Sequence, residues 1–230
     1  MQKKIVTLAV SAALALAASG AYAADAGPND VRVGAYFVHF DAQAGDISGP
    51  YTPPGLNVHV DSIVTLYLAY VRSFSEHFQA EFAVGYPPLT KTEGRGPATL
   101  GSVPYNGQVI STARWLSPTL LLEYVFGSAS SRLRPYVGVG VNYTKFFARQ
   151  STAAGNAASG GPTSISLPAS VGPAATVGLS YEITDRWHVY ASYSVAQVNT
   201  KLKANTAGIV RTSEVHFWPN AVVLSAGYSF

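Results

Sequence analysis

Apolar residues alternate with small or polar ones along most of this chain, and the alternation falls into eight stretches. In the first, Val31 to Phe40, one parity holds Val31, Val33, Ala35 and Phe37, and the other holds Arg32, Gly34 and Tyr36. Leu56 to Val71 keeps the period unbroken. Its even positions run Leu56, Val58, Val60, Ser62, Val64, Leu66, Leu68 and Tyr70, and its odd positions include Asn57, His59, Asp61, Thr65 and Tyr67. The same period recurs from Phe78 to Tyr86, Val109 to Phe126, Arg132 to Thr144, Ala175 to Ile183, Trp187 to Val195 and Val222 to Phe230. A period of two marks β-strands with unlike faces. Several of these stretches exceed the roughly 5–6 residues usual for strands of soluble domains.

The connections separate two architectures. Short links at 73–76, 127–131 and 184–186 alternate with long ones at 41–55, 87–108, 149–172 and 200–214. A soluble β-sandwich would carry charge on its outer parity. Here the less apolar parity is small and neutral instead: Gly138, Gly140, Asn142, Thr176, Gly178, Ser192, Ser194. Aromatic residues gather at the strand ends, with Phe78, Tyr124, Phe126, Tyr181, Trp187, Tyr228 and Phe230 toward the short links. Tyr86, Tyr143, Phe147 and Trp218 lie toward the long ones. The pattern predicts an all-β fold, an eight-stranded antiparallel transmembrane β-barrel. Its turns are short and periplasmic, its four long loops extracellular, and interfacial aromatic girdles ring both ends. The third long connection is rich in Ala, Gly and Ser and reads as a mobile loop.

Composition agrees with this reading and narrows it. Charged residues make up 12% of the 230 residues, against about 25% in an average soluble domain. The chain has no cysteine, which excludes a disulfide scaffold and a thiolate metal site. A net charge of +3 without a basic stripe argues against nucleic acid as a partner. Lys3 and Lys4 precede an apolar stretch from Ile5 to Ala18, and Ala21-Tyr22-Ala23 follows. That is the layout of a secretory signal peptide over residues 1–23, leaving 24–230 as one barrel domain bound for the outer membrane of a Gram-negative cell. Beyond it no run of about 18 apolar residues offers a spanning helix.

Particular residues resemble a known family. Pro118-Thr119-Leu120, Tyr124-Val125-Phe126-Gly127, Ala129-Ser130-Ser131 and the run from Arg134 to Thr144 are similar to the central block of the OmpW family, which includes the AlkL-like proteins associated with hydrocarbon uptake. The closing Ser225-Ala226-Gly227-Tyr228-Ser229-Phe230 is similar as well. The resemblance implies a monomeric eight-stranded barrel with a narrow, largely apolar channel. It would pass small hydrophobic molecules, release them sideways into the bilayer, and have neither enzymatic activity nor a cofactor. The implied partners are outer-membrane lipids and lipopolysaccharide, small apolar solutes, and the barrel-assembly machinery that reads a terminal aromatic such as Phe230.

On the parities alone, five charges point inward near the turn ends: Arg32, Glu81, Glu123, Arg134 and Glu182. Buried charge is costly unless paired, so these predict an Arg–Glu network across the periplasmic floor, either closing the lumen or only stabilising it. Above it, the inner row is almost free of charge. Ile63, Thr65, Ala83, Gly85, Trp115, Leu121, Gly138, Gly140, Thr176, Ser192 and Val223 are the candidate channel lining, with the glycines expected to leave room for a solute. Proline cannot donate to a sheet ladder. Pro87 and Pro88 end the third stretch and Pro118 interrupts the fourth, which marks that seam either as a lateral opening or as a bulge.

Other chemistry is set aside. His39, His59 and His216 lie near the loop ends of neighbouring strands, but His59 reads as inward and the other two as outward, so no metal site converges. His188 and Ser192 share the inner parity with Glu182 nearby, yet four residues of strand hold the first two about 13 Å apart, too far for the proton transfer of a lipid-modifying barrel enzyme. A purely structural or adhesive barrel would fill its lumen with large side chains at every level. The glycines of the Arg132–Thr144 stretch argue against that.

Overall fold

The structure is a computed structural model and describes residues 27–40, 42–100 and 103–230. The signal segment expected at 1–23 lies outside the described residues. In chain order the strands are β1 (Asn29–His39), β2 (Ala42–Ala44), β3 (Asn57–Val60), β4 (Ile63–Ser73), β5 (Phe78–Gly85), β6 (Leu89–Arg95), β7 (Thr99–Leu100), β8 (Val103–Pro104), β9 (Val109–Leu116), β10 (Thr119–Val125) and β11 (Leu133–Ser151). A short helix, α1 (Ala153–Ser159), is followed by β12 (Thr163–Ser166), β13 (Ser170–Glu182), β14 (Trp187–Ala196), β15 (Val198–Thr206), β16 (Ile209–Phe217) and β17 (Asn220–Ser229).

Eight of these close a ring. β1 pairs with β4, β4 with β5, β5 with β10 and β10 with β11, all antiparallel. β11 pairs with β13, β13 with β14, β14 with β17, and β17 returns to β1. The last residue takes part in the closure: the Phe230 N–H donates to the Asn29 carbonyl at 2.9 Å.

Within the ring the alternation decides which side chains face out. Val139 is 68% exposed, whereas inward Leu121 and Val223 are 4% and 3% exposed. Leu66, Phe82, Leu120, Leu122, Val177 and Leu224 share the outer surface with Val139. An apolar band of this extent suits acyl chains and not water. Exposed aromatics rim it: Phe78, Tyr124 and Phe126 stack edge-to-face with centroids 5.2 and 4.9 Å apart, and Trp187 meets Tyr228 at 5.1 Å. Val139→Arg is expected to destabilise the barrel by about 2–4 kcal/mol, the cost of a cation deep in a lipid-facing band. Urea unfolding in bilayers reads it, and an unchanged midpoint would place Val139 outside the band.

Three of the four long connections, 87–108, 149–172 and 200–214, hold regular structure for much of their length, and 41–55 contributes the short β2. They extend the barrel as two sheets, one of β3, β6, β9 and the end of β11, the other of β12, β15, β16 and β2. The Ala/Gly/Ser-rich segment read as a mobile loop folds into α1. The Thr152 hydroxyl accepts from the Gly155 N–H at its start, and Gly160 adopts φ 83° at its end.

The chain also changes face where a single alternating strand was expected. Leu56 is 2% exposed and Val58 is 7% exposed, while Val64 and Leu66 of the same parity face outward. The reversal occurs across Asp61-Ser62, between β3 and β4. His59 therefore shares the outer parity, contrary to the sequence reading. A matching reversal falls between β5 and β6, across Tyr86-Pro87-Pro88: Ala83 is buried below it and Thr90 above it.

Candidate functional site

The inward rows enclose a stack of small cavities. The outermost, about 70 Å³, lies beneath the extracellular segments among Leu56, Tyr105, Ile110 and Ala158. It shares Val58, Ser111, Ile165 and Leu202 with a second, a vestibule of about 70 Å³. The vestibule shares Phe40, Trp115, Phe146 and Phe217 with a chamber of about 60 Å³ at mid-barrel. Those four aromatics form a constriction. Phe40 meets Trp115 edge-to-face at 5.7 Å and Phe217 at 6.0 Å. No charged side chain lines the vestibule, and Glu81 is the one charged residue lining the chamber.

Ala83, Gly85, Trp115, Leu121 and Val223 of the candidate lining reach this chamber. Ile63 packs against the constriction cluster, and the Thr65 hydroxyl donates to the Tyr86 carbonyl at 2.7 Å. Gly138, Gly140, Thr176 and Ser192 do not line it. Thr176 and Ser194 share a hydrogen bond of 2.9 Å, and Ser192 stands opposite Gly178 and Val223 in the ladders of its two neighbouring strands. The inner glycines hold neighbouring groups rather than a solute. A Cβ at Gly138 would come within 2.8 Å of Glu123 Cγ, one at Gly178 would collide with the Tyr136 ring, and one at Gly140 with the Leu120 carbonyl. One polar cluster went unrecognised in the sequence. Asn142 donates to the Ser117 and Thr119 hydroxyls at 2.8 Å each and accepts from Thr144 at 2.7 Å, so the chamber's polar wall satisfies itself.

Below the chamber lies the floor. The Arg32 guanidinium, on a residue 2% exposed, donates to Glu81 at 2.6 Å and to Asp30 at 3.0 Å. It also lies 3.7 Å above the Tyr190 ring centroid. Tyr67 donates to Glu81 and Tyr190 to Asp30, each at 2.7 Å, and Gln79 donates to Glu123 at 2.6 Å. One guanidinium thus faces three buried carboxylates. Asp30 was missed in the sequence because it sits at the first inward position, before the apolar pattern begins. Arg134 and Glu182 do not join this cluster. Arg134 donates to the Glu76 carbonyl at 2.6 Å, and both residues line a polar basin of about 130 Å³ on the turn side. Chamber and basin share no lining residue, so Arg32 and its partners separate them. In the basin the His188 Nδ1 lies 3.4 Å from the Ser229 Oγ, not beside Ser192.

The wall is interrupted at the level of the chamber. Pairing of β5 with β10 stops at Ala83–Thr119, and pairing of β6 with β9 resumes at Leu89–Arg114, one residue out of register. The extra residue belongs to Tyr86-Pro87-Pro88 and explains the reversal of face there. Direction matters, because the N–H and C=O of one strand residue point to the same neighbour and successive residues alternate. Tyr86 donates to Leu66 on β4, so Pro87 faces β9 and β10 and Pro88 faces β4. The Pro87 carbonyl accepts from the Arg114 guanidinium at 2.8 Å across the gap. Pro118 accepts from the Tyr143 N–H of β11 at 2.9 Å, so the donor it lacks would have faced β11. Of the three prolines read as seam-breaking, Pro87 alone turns its missing N–H toward the seam. The chamber's lining includes Val84 of the outer row, next to Gly85, and Ser117 across the gap.

Comparison with known proteins adds a family context. The OmpW family profile matches residues 25–230. Outer membrane protein W of Vibrio cholerae serotype O1 is 30% identical over 230 residues, 100% of each chain. Outer membrane protein AlkL of Ectopseudomonas oleovorans is 25% identical over 195 residues, 84% of this chain and 78% of its own. The crystal structure of outer membrane protein OprG from Pseudomonas aeruginosa superposes with a TM-score of 0.79 at 25% identity, covering 90% of this chain and 97% of that one.

Proposed function

Given that the chain belongs to the OmpW family, we propose that it is a passive conduit for small apolar solutes in the outer membrane of a Gram-negative cell, releasing them sideways into the bilayer. The observation that carries this reading is a succession of largely apolar cavities from the extracellular end, with Arg211 at the outermost and Glu81 at the chamber's base as their charged lining, stopped by the Arg32 floor beside an unpaired stretch of wall. Lipopolysaccharide presents a charged, hydrated layer that an apolar molecule crosses poorly, although the hydrocarbon behind it is a good solvent. A dry path through the polar layer is all such a molecule needs. Crossing the floor would bring an apolar solute against buried charge, whereas the seam between β5 and β10 leads to acyl chains. In the same reading the barrel works as a monomer surrounded by lipid and lipopolysaccharide, delivered by assembly machinery that engages Phe230.

Uptake by cells with and without the protein, at matched outer-membrane integrity, tests this. Apolar compounds are expected to enter faster with the protein, and small sugars at an unchanged rate. Equal acceleration of both classes would make it a general pore, and acceleration of neither would remove the transport reading.

A further inference from the structure

The buried polar atoms along the path are almost all paired. Asn142, Ser117, Thr119 and Thr144 satisfy one another, and both carboxylate oxygens of Glu81 accept hydrogen bonds, from Arg32 and Tyr67. The exception among the described residues lining the chamber and vestibule is Trp115. Its residue is 6% exposed and its indole Nε1 has no partner. An indole N–H can only donate, and leaving a buried donor unpaired costs roughly 1–3 kcal/mol. The ring belongs to the wall of both cavities and is held edge-to-face against Phe40 at the constriction between them. Anything passing from vestibule to chamber passes this ring. A second case occurs in the outer cavity, where Tyr105 is 4% exposed and its hydroxyl is unpartnered. Burial pushes the Tyr105 phenol up to about 12, so it keeps its proton at neutral pH.

Resting on the conduit reading, we propose that Trp115 is a specificity-determining residue whose N–H donates a hydrogen bond to the passing solute. The preferred cargo is then a neutral apolar molecule carrying one hydrogen-bond acceptor, such as a long-chain ketone, rather than a plain alkane. An alkane leaves the indole unpaired where the two cavities meet; a carbonyl oxygen satisfies it without bringing a donor that needs a partner of its own. An anionic acceptor is disfavoured, because the chamber holds no cation and Glu81 lies at its base.

The test compares a straight-chain methyl ketone with the alkane of equal heavy-atom count. In the ¹⁵N-labelled protein in lipid nanodiscs, the ketone is expected to move the Trp115 indole N–H resonance downfield while the alkane leaves it in place. In uptake assays Trp115→Phe, which keeps an aromatic ring and removes the donor, is expected to lower the ratio of protein-dependent ketone to alkane uptake roughly two- to tenfold, the value of one net hydrogen bond, whatever the smaller ring does to both rates together. A resonance indifferent to ketone, or a ketone-to-alkane ratio unchanged in Trp115→Phe, would overturn the assignment. If the unmodified protein accelerates neither compound, the conduit reading fails, and the resonance alone then decides whether Trp115 binds the carbonyl.

Discussion

Arg32→Met is expected to lower the unfolding free energy by roughly 3–5 kcal/mol, the usual cost of stripping one partner from a buried ion pair. The guanidinium is the cation that three carboxylates share in the floor, through direct contacts to Glu81 and Asp30, and it has aromatic faces on either side. Methionine fills much of its volume, so the loss reports charge rather than packing. The hydroxyls of Tyr67 and Tyr190 and the amide of Gln79 stay in place, but they cannot neutralise what they bond. Urea titration in lipid, followed by tryptophan fluorescence, measures the effect; a loss below about 1 kcal/mol would mean the carboxylates are not held as described. Adding Asp30→Asn and Glu81→Gln to Arg32→Met should restore part of the stability, because the two carboxylates in direct contact with Arg32 lose their charge with it, while Glu123 keeps its bond to Gln79. That triple variant also separates the two roles of the floor. Ion conductance that rises once stability is recovered marks the charges as a closure, and conductance that stays at the baseline marks them as a stabiliser alone.

Pro87→Val is expected to reduce uptake of an apolar probe roughly two- to tenfold, because it returns one ladder donor worth about 0.5–1.5 kcal/mol to the seam side of the wall. Pro87 faces β9 and β10, and its carbonyl is already engaged by Arg114. A valine N–H at the same place can bond the opposing strand and shift the seam toward its closed form. Pro118→Val is the matched control. Its new N–H would point to Tyr143 on β11, which already donates to residue 118, so the seam keeps its gap and uptake should not change. Equal uptake by Pro87→Val and the parent protein, with folding intact, would exclude exit between β5 and β10. Loss in Pro118→Val alone would move the exit to the other side of β10.

The barrel, its eight strands, the outward apolar row and the inward charges Arg32, Glu81 and Glu123 are legible in the order of residues alone. Each follows from period two: in a sheet closed on itself, parity decides between acyl chain and lumen, and apolar, small and charged residues sort accordingly. That rule holds only while every residue takes one step along a regular ladder. At Asp61-Ser62 and at Tyr86-Pro87-Pro88 it does not, and Leu56, Val58 and Val60 turn inward although their parity had been outward below. The glycines were legible as small residues but not as cradles, since the Tyr136 ring over Gly178 and Glu123 against Gly138 arrive from other strands. Trp115 could be read as inward; that its indole separates two cavities, with its N–H unmatched, depends on Phe40, Phe146 and Phe217 from three other strands or their ends. Which inward residues meet is settled only when the strands pair. A strand's pattern sets the side on which a residue lies, whereas height and neighbours depend on the register between strands and on each bulge that shifts it.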